Sequence, residues 1–187
     1  MNRWWVVLLG VLAAGLAIAG DGRVVFSERN EVGQLWANLA VTYQRVGEPY
    51  LPMVIGVQNL GGETMRLDRA SFSLIGPDGR RFPMAGLKEL RRSYDKAAMD
   101  RRIATANGIP VDLWARQRRL RESNFFPDVS QSRRTTVIDR VTLARGDGTV
   151  DLIYFETPAG LAPGAPFLLE VQPEGWEIPL RLRLVLG

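Results

Sequence analysis

The stretch Ile178-Pro179-Leu180-Arg181-Leu182-Arg183-Leu184-Val185-Leu186 reads as a β-strand. Ile178, Leu180, Leu182, Leu184 and Leu186 fall on one face, and Arg181 and Arg183 fall on the other. That is the period of a strand with one side in a core. Phe167, Leu169 and Val171 alternate in the same way just upstream. Before them lies the Gly/Pro-rich loop Pro158 to Pro166, and before that the apolar run Thr149 to Glu156. Gly146-Asp147-Gly148 has the composition of a tight turn, so Thr149 to Glu156 is expected to pair back in a hairpin. Its partner would be the strand carrying Val137, Val141 and Leu143 on one face.

The first half of the chain follows the same pattern. Arg23 to Phe26 is a short strand. Leu39, Val41 and Tyr43 alternate with Ala40, Thr42 and Gln44, which predicts another. Pro52 to Leu60 is apolar on both faces at Val54, Ile55 and Val57, as a central strand is. Asn59-Leu60-Gly61-Gly62-Glu63 supplies a turn, and Thr64 to Leu67 begins the return. Ala70, Phe72 and Leu74 point one way. Gly76-Pro77-Asp78-Gly79 is a turn in which proline presets φ and glycine tolerates a positive φ. A short strand, Arg80 to Pro83, follows it.

The period then changes to helical. Leu87, Leu90, Tyr94, Ala97 and Ala98 predict a first helix that Asn107-Gly108 can end. Pro110 suits a first helical turn, and Val111 to Arg121 predicts a second helix before Pro127. Residues 86–122 are therefore expected to be a two-helix insertion between strands. Many short antiparallel strands around it predict a mainly β protein, a sandwich rather than a parallel sheet.

The stretch YLPMVIGVQNLGGETMRLDRASFSLIGPDGRRF, beginning at Tyr50, resembles bacterial secreted or membrane-anchored immunoglobulin-like domains of unknown function, of the lipoprotein-antigen type. It carries a V-x-N-x-G strand and turn, then a strand and a D-G-R turn. GTVDLIYFETP, from Gly148 to Pro158, fits the same pattern. The resemblance covers about two-thirds of the chain after residue 20. It implies an immunoglobulin-like antiparallel sandwich with a non-catalytic binding or accessory role. The helical insertion and the missing lipidation cysteine depart from the simplest members.

The amino terminus sets the compartment. Arg3 precedes an uncharged run, Trp4 to Gly20, and then comes Asp21. As a secretory signal, residues 1–20 have a basic tip and the small-residue site Ala17-Ile18-Ala19. As an anchor they place Arg3, Trp4 and Trp5 at a membrane interface. These 17 residues span roughly 25 Å as a helix, against a hydrocarbon core of about 30 Å. The expectation taken forward is a single-pass transmembrane anchor in a bacterial cytoplasmic membrane, with the domain of residues 21–187 in the periplasm or outside. Cleavage and secretion is the alternative.

Composition narrows the chemistry. Residues 20–187 suffice for one domain that buries roughly 70% of its unfolded surface. There is no cysteine and no histidine, so disulfides, the commonest general base and the commonest metal ligand are all missing. No catalytic, metal or cofactor site is expected. Ser93 and Lys96, three apart on a helix, are the nearest approach to a catalytic dyad. An exposed lysine there stays charged by solvation and makes a poor base. Asp147 and Asp151 lack the spacing and third carboxylate of a calcium loop. Arg145-Gly146-Asp147 is explained by its turn.

Residues 86–122 hold ten basic and five acidic side chains, a local +5 in a chain of net +4. The expected partner-binding residues are Arg116, Arg118, Arg119, Arg121 and Trp114. Their complement would be an integral membrane or envelope protein complex, or anionic lipid headgroups, and not nucleic acid. The alternative is a solvated face with local pairs such as Arg91–Asp95. Trp114, Phe125 and Phe126 are expected to staple the insertion to the strands, with exposed anchors for a partner as the alternative. The function expected is that of a non-enzymatic accessory or interaction subunit of such a complex. The second reading is a secreted or periplasmic ligand-binding protein.

Overall fold

The computed structural model describes residues 15–19, 23–107, 120–127, 136–157 and 164–185. The protein is mainly β, with antiparallel sheets and two α-helices. Strand β4, Tyr50–Asn59, is its centre, and all ten of its residues are buried. It bonds to β3 (Gly33–Asn38) on one side and β9 (Gly148–Glu156) on the other, both antiparallel. β2 (Arg23–Arg29) and β1 (Gly15–Ala19) complete a five-stranded sheet in the order β1-β2-β3-β4-β9. A second sheet has the order β11-β10-β6-β7, from Leu180–Val185, Pro166–Val171, Phe72–Ile75 and Arg81–Pro83. A two-stranded sheet joins β5 (Met65–Asp68) to β8 (Arg140–Leu143). One apolar cluster draws on all three sheets.

β4 is buried on both faces because different elements cover them. On one face Trp36 stands opposite Gly56, whose missing Cβ would lie 2.1 Å from the indole ring. Any side chain at 56 would displace the tryptophan. That face also carries Tyr50 and, opposite Pro52, Tyr154. Helices α1 (Leu87–Ser93) and α2 (Ala97–Ala106) bring Tyr94 against both tyrosine rings, edge to face at 5.5 and 5.8 Å. The other face of β4 looks toward the second sheet, where Phe72, Leu74, Leu169, Leu182 and Leu184 are buried as the alternation predicts.

The segment 124–127 serves both layers. Phe125 packs edge to face on Phe72 at 5.6 Å, and Phe126 on Tyr154 at 5.1 Å. The stapling expected of this pair is what they do.

Several sequence expectations are corrected. β3 ends at Asn38, and the chain turns into a 3-10 helix over Thr42–Arg45, so Leu39 to Gln44 is not a strand. The Asn38 side chain accepts the Ala40 amide at 2.9 Å and diverts the backbone. Leu39 and Val41 are still buried, which is why their spacing imitated a strand. β5 does not return along β4, and β8 does not form a hairpin with β9. These two short strands pair with each other. Asp147 and Gly146 bond the backbone of Asn59 on β4, so the turn hands the chain from one sheet to another. Val137 and Ile178 lie outside the strands and are exposed. Pairing of β11 begins only at Leu180, after Pro179, which cannot donate to a ladder.

The first predicted helix is two helices. Tyr94 adopts extended backbone (φ −130°) so that its ring can enter the core, and the chain restarts at Ala97. The second predicted helix falls largely outside the described residues. Its described end is not helical: Leu120 bridges Gly148, and the Arg121 amide donates to the Gly148 carbonyl at 2.8 Å. These bonds satisfy the free edge of β9, which favours extended backbone there. At the amino terminus, Trp4 to Ala14 lies outside the described residues. Gly15–Ala19 is a strand bonded to the edge of β2, not the end of a helix. Among the described residues no helix is long and apolar enough to cross a membrane.

Two outcomes are expected. Leu182→Ala removes a buried side chain between the sheets and should cost about 2–5 kcal/mol in urea unfolding. Arg181→Ala should cost under about 1.5 kcal/mol, because Arg81 keeps its bond to the shared partner Glu170. Equal, small losses would mean Leu182 does not face the core. The second outcome concerns pH. Burial raises the Glu170 carboxyl, but hydrogen bonds and charge from Arg81 and Arg181 outweigh it, so its pKa lies below the ordinary glutamate value of 4.5. A depressed acid contributes stability above its unfolded pKa and loses it as pH falls through the folded value. Glu170→Gln should therefore lower stability at neutral pH and flatten its decline on the acid side of that value. An unchanged acid limb in unfolding midpoints would refute this.

Candidate functional site

The described residues form an open groove at one end of the sheets, of about 490 Å³, between the β4–β5 and β10–β11 loops. Its construction starts at Asn59, the last residue of β4 and fully buried. The Asn59 amide nitrogen donates to the carbonyls of Glu63 and Leu143, at 2.6 and 2.9 Å. Its side-chain oxygen accepts the Gly61 amide at 3.0 Å. The carbonyl of Val32 accepts the amides of Leu60 and Gly61. The loop 60–63 is thereby fixed to the β2–β3 turn. That turn is held by the Asn30 side chain, which accepts from Val32 and Gly33 at 3.0 and 2.8 Å.

The opposite wall is the loop after β10. Gly175 takes φ +78°, a conformation glycine adopts without strain. The Trp176 amide donates to Pro173, and Gln172 donates its side-chain amide to the Trp176 carbonyl. The Glu174 amide donates to Arg66 on β5. Val32, Trp176 and Ile178 give the groove apolar surface, and Glu63 and Glu177 add exposed carboxylates. The remaining lining is glycine, at 61, 62 and 175. The arrangement suits reversible binding: apolar walls, accessible backbone and two exposed acids.

Other titratable clusters serve the fold. Asp100 is fully buried, takes a 2.7 Å bond from the Tyr94 hydroxyl, and pairs with Arg45 Nε at 2.7 Å. Burial, then the Asp100 bond, drives the Tyr94 phenol far above its usual pKa. The unit ties α2 to the 3-10 helix. Asp151 is buried and accepts the amides of Phe125 and Leu152, both at 2.8 Å. Burial holds its pKa above the ordinary value in spite of those bonds. Arg69 donates to the carbonyls of Ala85 and Phe125 and stacks on the Phe126 ring at 4.6 Å. Desolvation lowers its pKa.

Most of the residues singled out in the sequence fall outside the described residues. Arg116, Arg118, Arg119 and Trp114, with Arg3, Trp4 and Trp5, lie outside the described residues. Arg121 is half-exposed, and its Nε donates to Asp147 at 2.7 Å. Asp147 itself is buried, so the Arg145-Gly146-Asp147 tripeptide does not present its carboxylate. Ser93 bonds Glu89 and Tyr50, while Lys96 pairs with Glu48, so no dyad assembles. Helix α1 ends at Ser93, before Asp95, and Arg91–Asp95 makes no ion pair among the described residues. Among those residues no three His, Cys, Asp or Glu side chains gather for a metal. Sequence reading missed the groove. Its one local signal was a tryptophan, Trp176, in a loop bounded by Pro173 and Pro179.

Asn59→Ala should lower stability by about 1–3 kcal/mol, since it strands the buried Leu143 carbonyl and frees the Glu63 carbonyl, while the Gly61 amide keeps Val32. Chemical denaturation checks this. A loss below about 1 kcal/mol would show that the loop is held by the Val32 bonds alone.

No family model matches the chain, and no curated protein matches it. Among solved structures the chain is similar to the crystal structure of a "putative lipoprotein (ycdA)" from Bacillus subtilis, with 11% identity and a TM-score of 0.42. The match covers 85% of this chain and 38% of that one, so the chain spans well under half the length of that protein.

Proposed function

We propose that this chain is a non-enzymatic extracytoplasmic interaction subunit, an immunoglobulin-like sandwich attached to a bacterial cytoplasmic membrane through the apolar residues ahead of β1. It engages an envelope or membrane protein complex through the groove at the loop end. The observation that carries the reading is the groove itself, whose walls come from the loops after β4 and β10. The strand orders support the immunoglobulin-like assignment. β3-β4-β9 and β11-β10-β6-β7 correspond to the A-B-E and G-F-C-C′ orders of that fold. The loops around the groove are then the B–C and F–G loops, the end that variable domains use for recognition. The basic segment with Trp114, Arg116, Arg118 and Arg119 provides a second contact, toward acidic protein or anionic headgroups.

A secreted ligand-binding protein is the second reading, and one observation favours it. β1 lies at a sheet edge, so cleavage after Ala19 would remove β1 and leave β2-β3-β4-β9 whole. Amino-terminal sequencing of native protein separates the two readings.

A photo-crosslinking residue placed at the exposed Ile178 in native membranes should give a defined protein adduct that resists carbonate washing. The same residue at Pro77, in the β6–β7 turn at the other end of the sheet, should give none. Identical adducts from both positions, or no adduct from Ile178, would overturn the reading.

A further inference from the structure

We infer that the groove takes a basic polypeptide segment, one that presents Arg or Lys beside a large apolar side chain. This rests on the interaction reading above and names the class of its occupant. The first argument is charge. Every charged residue in the groove lining, or adjacent to it in sequence, is acidic: Glu31, Glu63, Glu174 and Glu177. None of the four makes an ion pair among the described residues. The nearest bases in sequence are Arg29, two residues before Glu31, and Arg66, three residues beyond Glu63. Like-charged carboxylates grouped around a groove favour a cationic occupant and hasten its encounter.

The second argument is apolar surface. Ile178 is 66% exposed, and Val32 and the half-buried Trp176 line the same groove. An exposed isoleucine beside a tryptophan gains by covering with an apolar side chain, and an indole face also attracts a guanidinium or ammonium. A small inorganic cation would use neither. The third argument is backbone access. Gly61, Gly62 and Gly175 leave main chain uncovered along the groove, so an extended peptide can lie close to it. Asn59 and Val32 hold one wall in place beforehand, which lowers the ordering cost of binding.

The test uses the full chain in zwitterionic nanodiscs, with empty discs subtracted. The probe is a labelled short Gly/Ser peptide carrying Arg residues beside one Leu, compared with its Glu counterpart by fluorescence anisotropy. The Arg peptide should bind, more weakly as salt rises, and the Glu peptide should not. The variant Glu63→Gln, Glu177→Gln should weaken binding about fivefold or more, the sum of two exposed ion pairs. Ile178→Ser should weaken it separately. All three positions are exposed, so the variants should unfold at the wild-type urea midpoint. Equal binding of the two peptides, or an unchanged Kd in the double variant, overturns the inference. A dimer that forms with concentration and that the same variants dissolve overturns it in favour of a second copy. If the peptide fails while the Ile178 adduct persists, the interaction reading stands and only this occupant is wrong.

Discussion

The side chain of Asn59 is the point on which the arrangement turns. A buried amide must satisfy both its donor and its acceptor inside the protein. Asn59 does so by reaching the carbonyls of Glu63 and Leu143 and the amide of Gly61. Its own backbone bonds the Asp147 carbonyl and the Gly146 amide. One residue thus joins the end of the central strand, the β4–β5 loop, the end of β8 and the β8–β9 turn. The V-x-N-x-G pattern of the sequence is the record of that joint: valine enters the core, asparagine ties the loops, and glycine lies under the loop it starts.

A second constraint is the edge of β9. A central sheet that ends in an unpaired strand invites pairing from outside. Here Met84 and Ala85 bond one half of that edge and Leu120 and Arg121 the other. The segment that follows Arg121 brings Phe125 onto Phe72 and Phe126 onto Tyr154 and is tied down by Asp151, Arg69 and Arg101. The helices belong to this cover. Their aromatic contact with β4 and β9 through Tyr94 explains why the first predicted helix breaks where it does.

These buried charges divide into two kinds. Glu170 is held ionised by two arginines on the outer face of the second sheet. Asp151 has amides for partners and carries a desolvation cost they do not remove. Both are committed to structure, as is Asp100. The exposed carboxylates of the loop end, Glu63 and Glu177, make no ion pair among the described residues, and the loops that carry them are fixed by the amide side chains of Asn59, Asn30 and Gln172.

The sequence by itself determined the strands whose pattern is local. β4 was legible because it is apolar on both faces, and β10 and β11 because their alternation is clean. The β6–β7 turn was legible because Gly76-Pro77-Asp78-Gly79 closes on itself. The pairing partners were not legible. A turn composition at Gly146-Asp147-Gly148 says that the chain reverses, but whether β8 then meets β9 or β5 depends on Asn59, far away in sequence. Leu39 and Val41 were read as a strand because burial has the same spacing in a turn packed on a core. Ile178 was read as core because alternation does not show where pairing starts. The groove was hidden for the same reason. Residue 32, residues 61–63 and residues 175–178 become neighbours only when β3, β4 and β10 are placed in their sheets, and that placement is decided by long-range hydrogen bonds and packing that no local window contains.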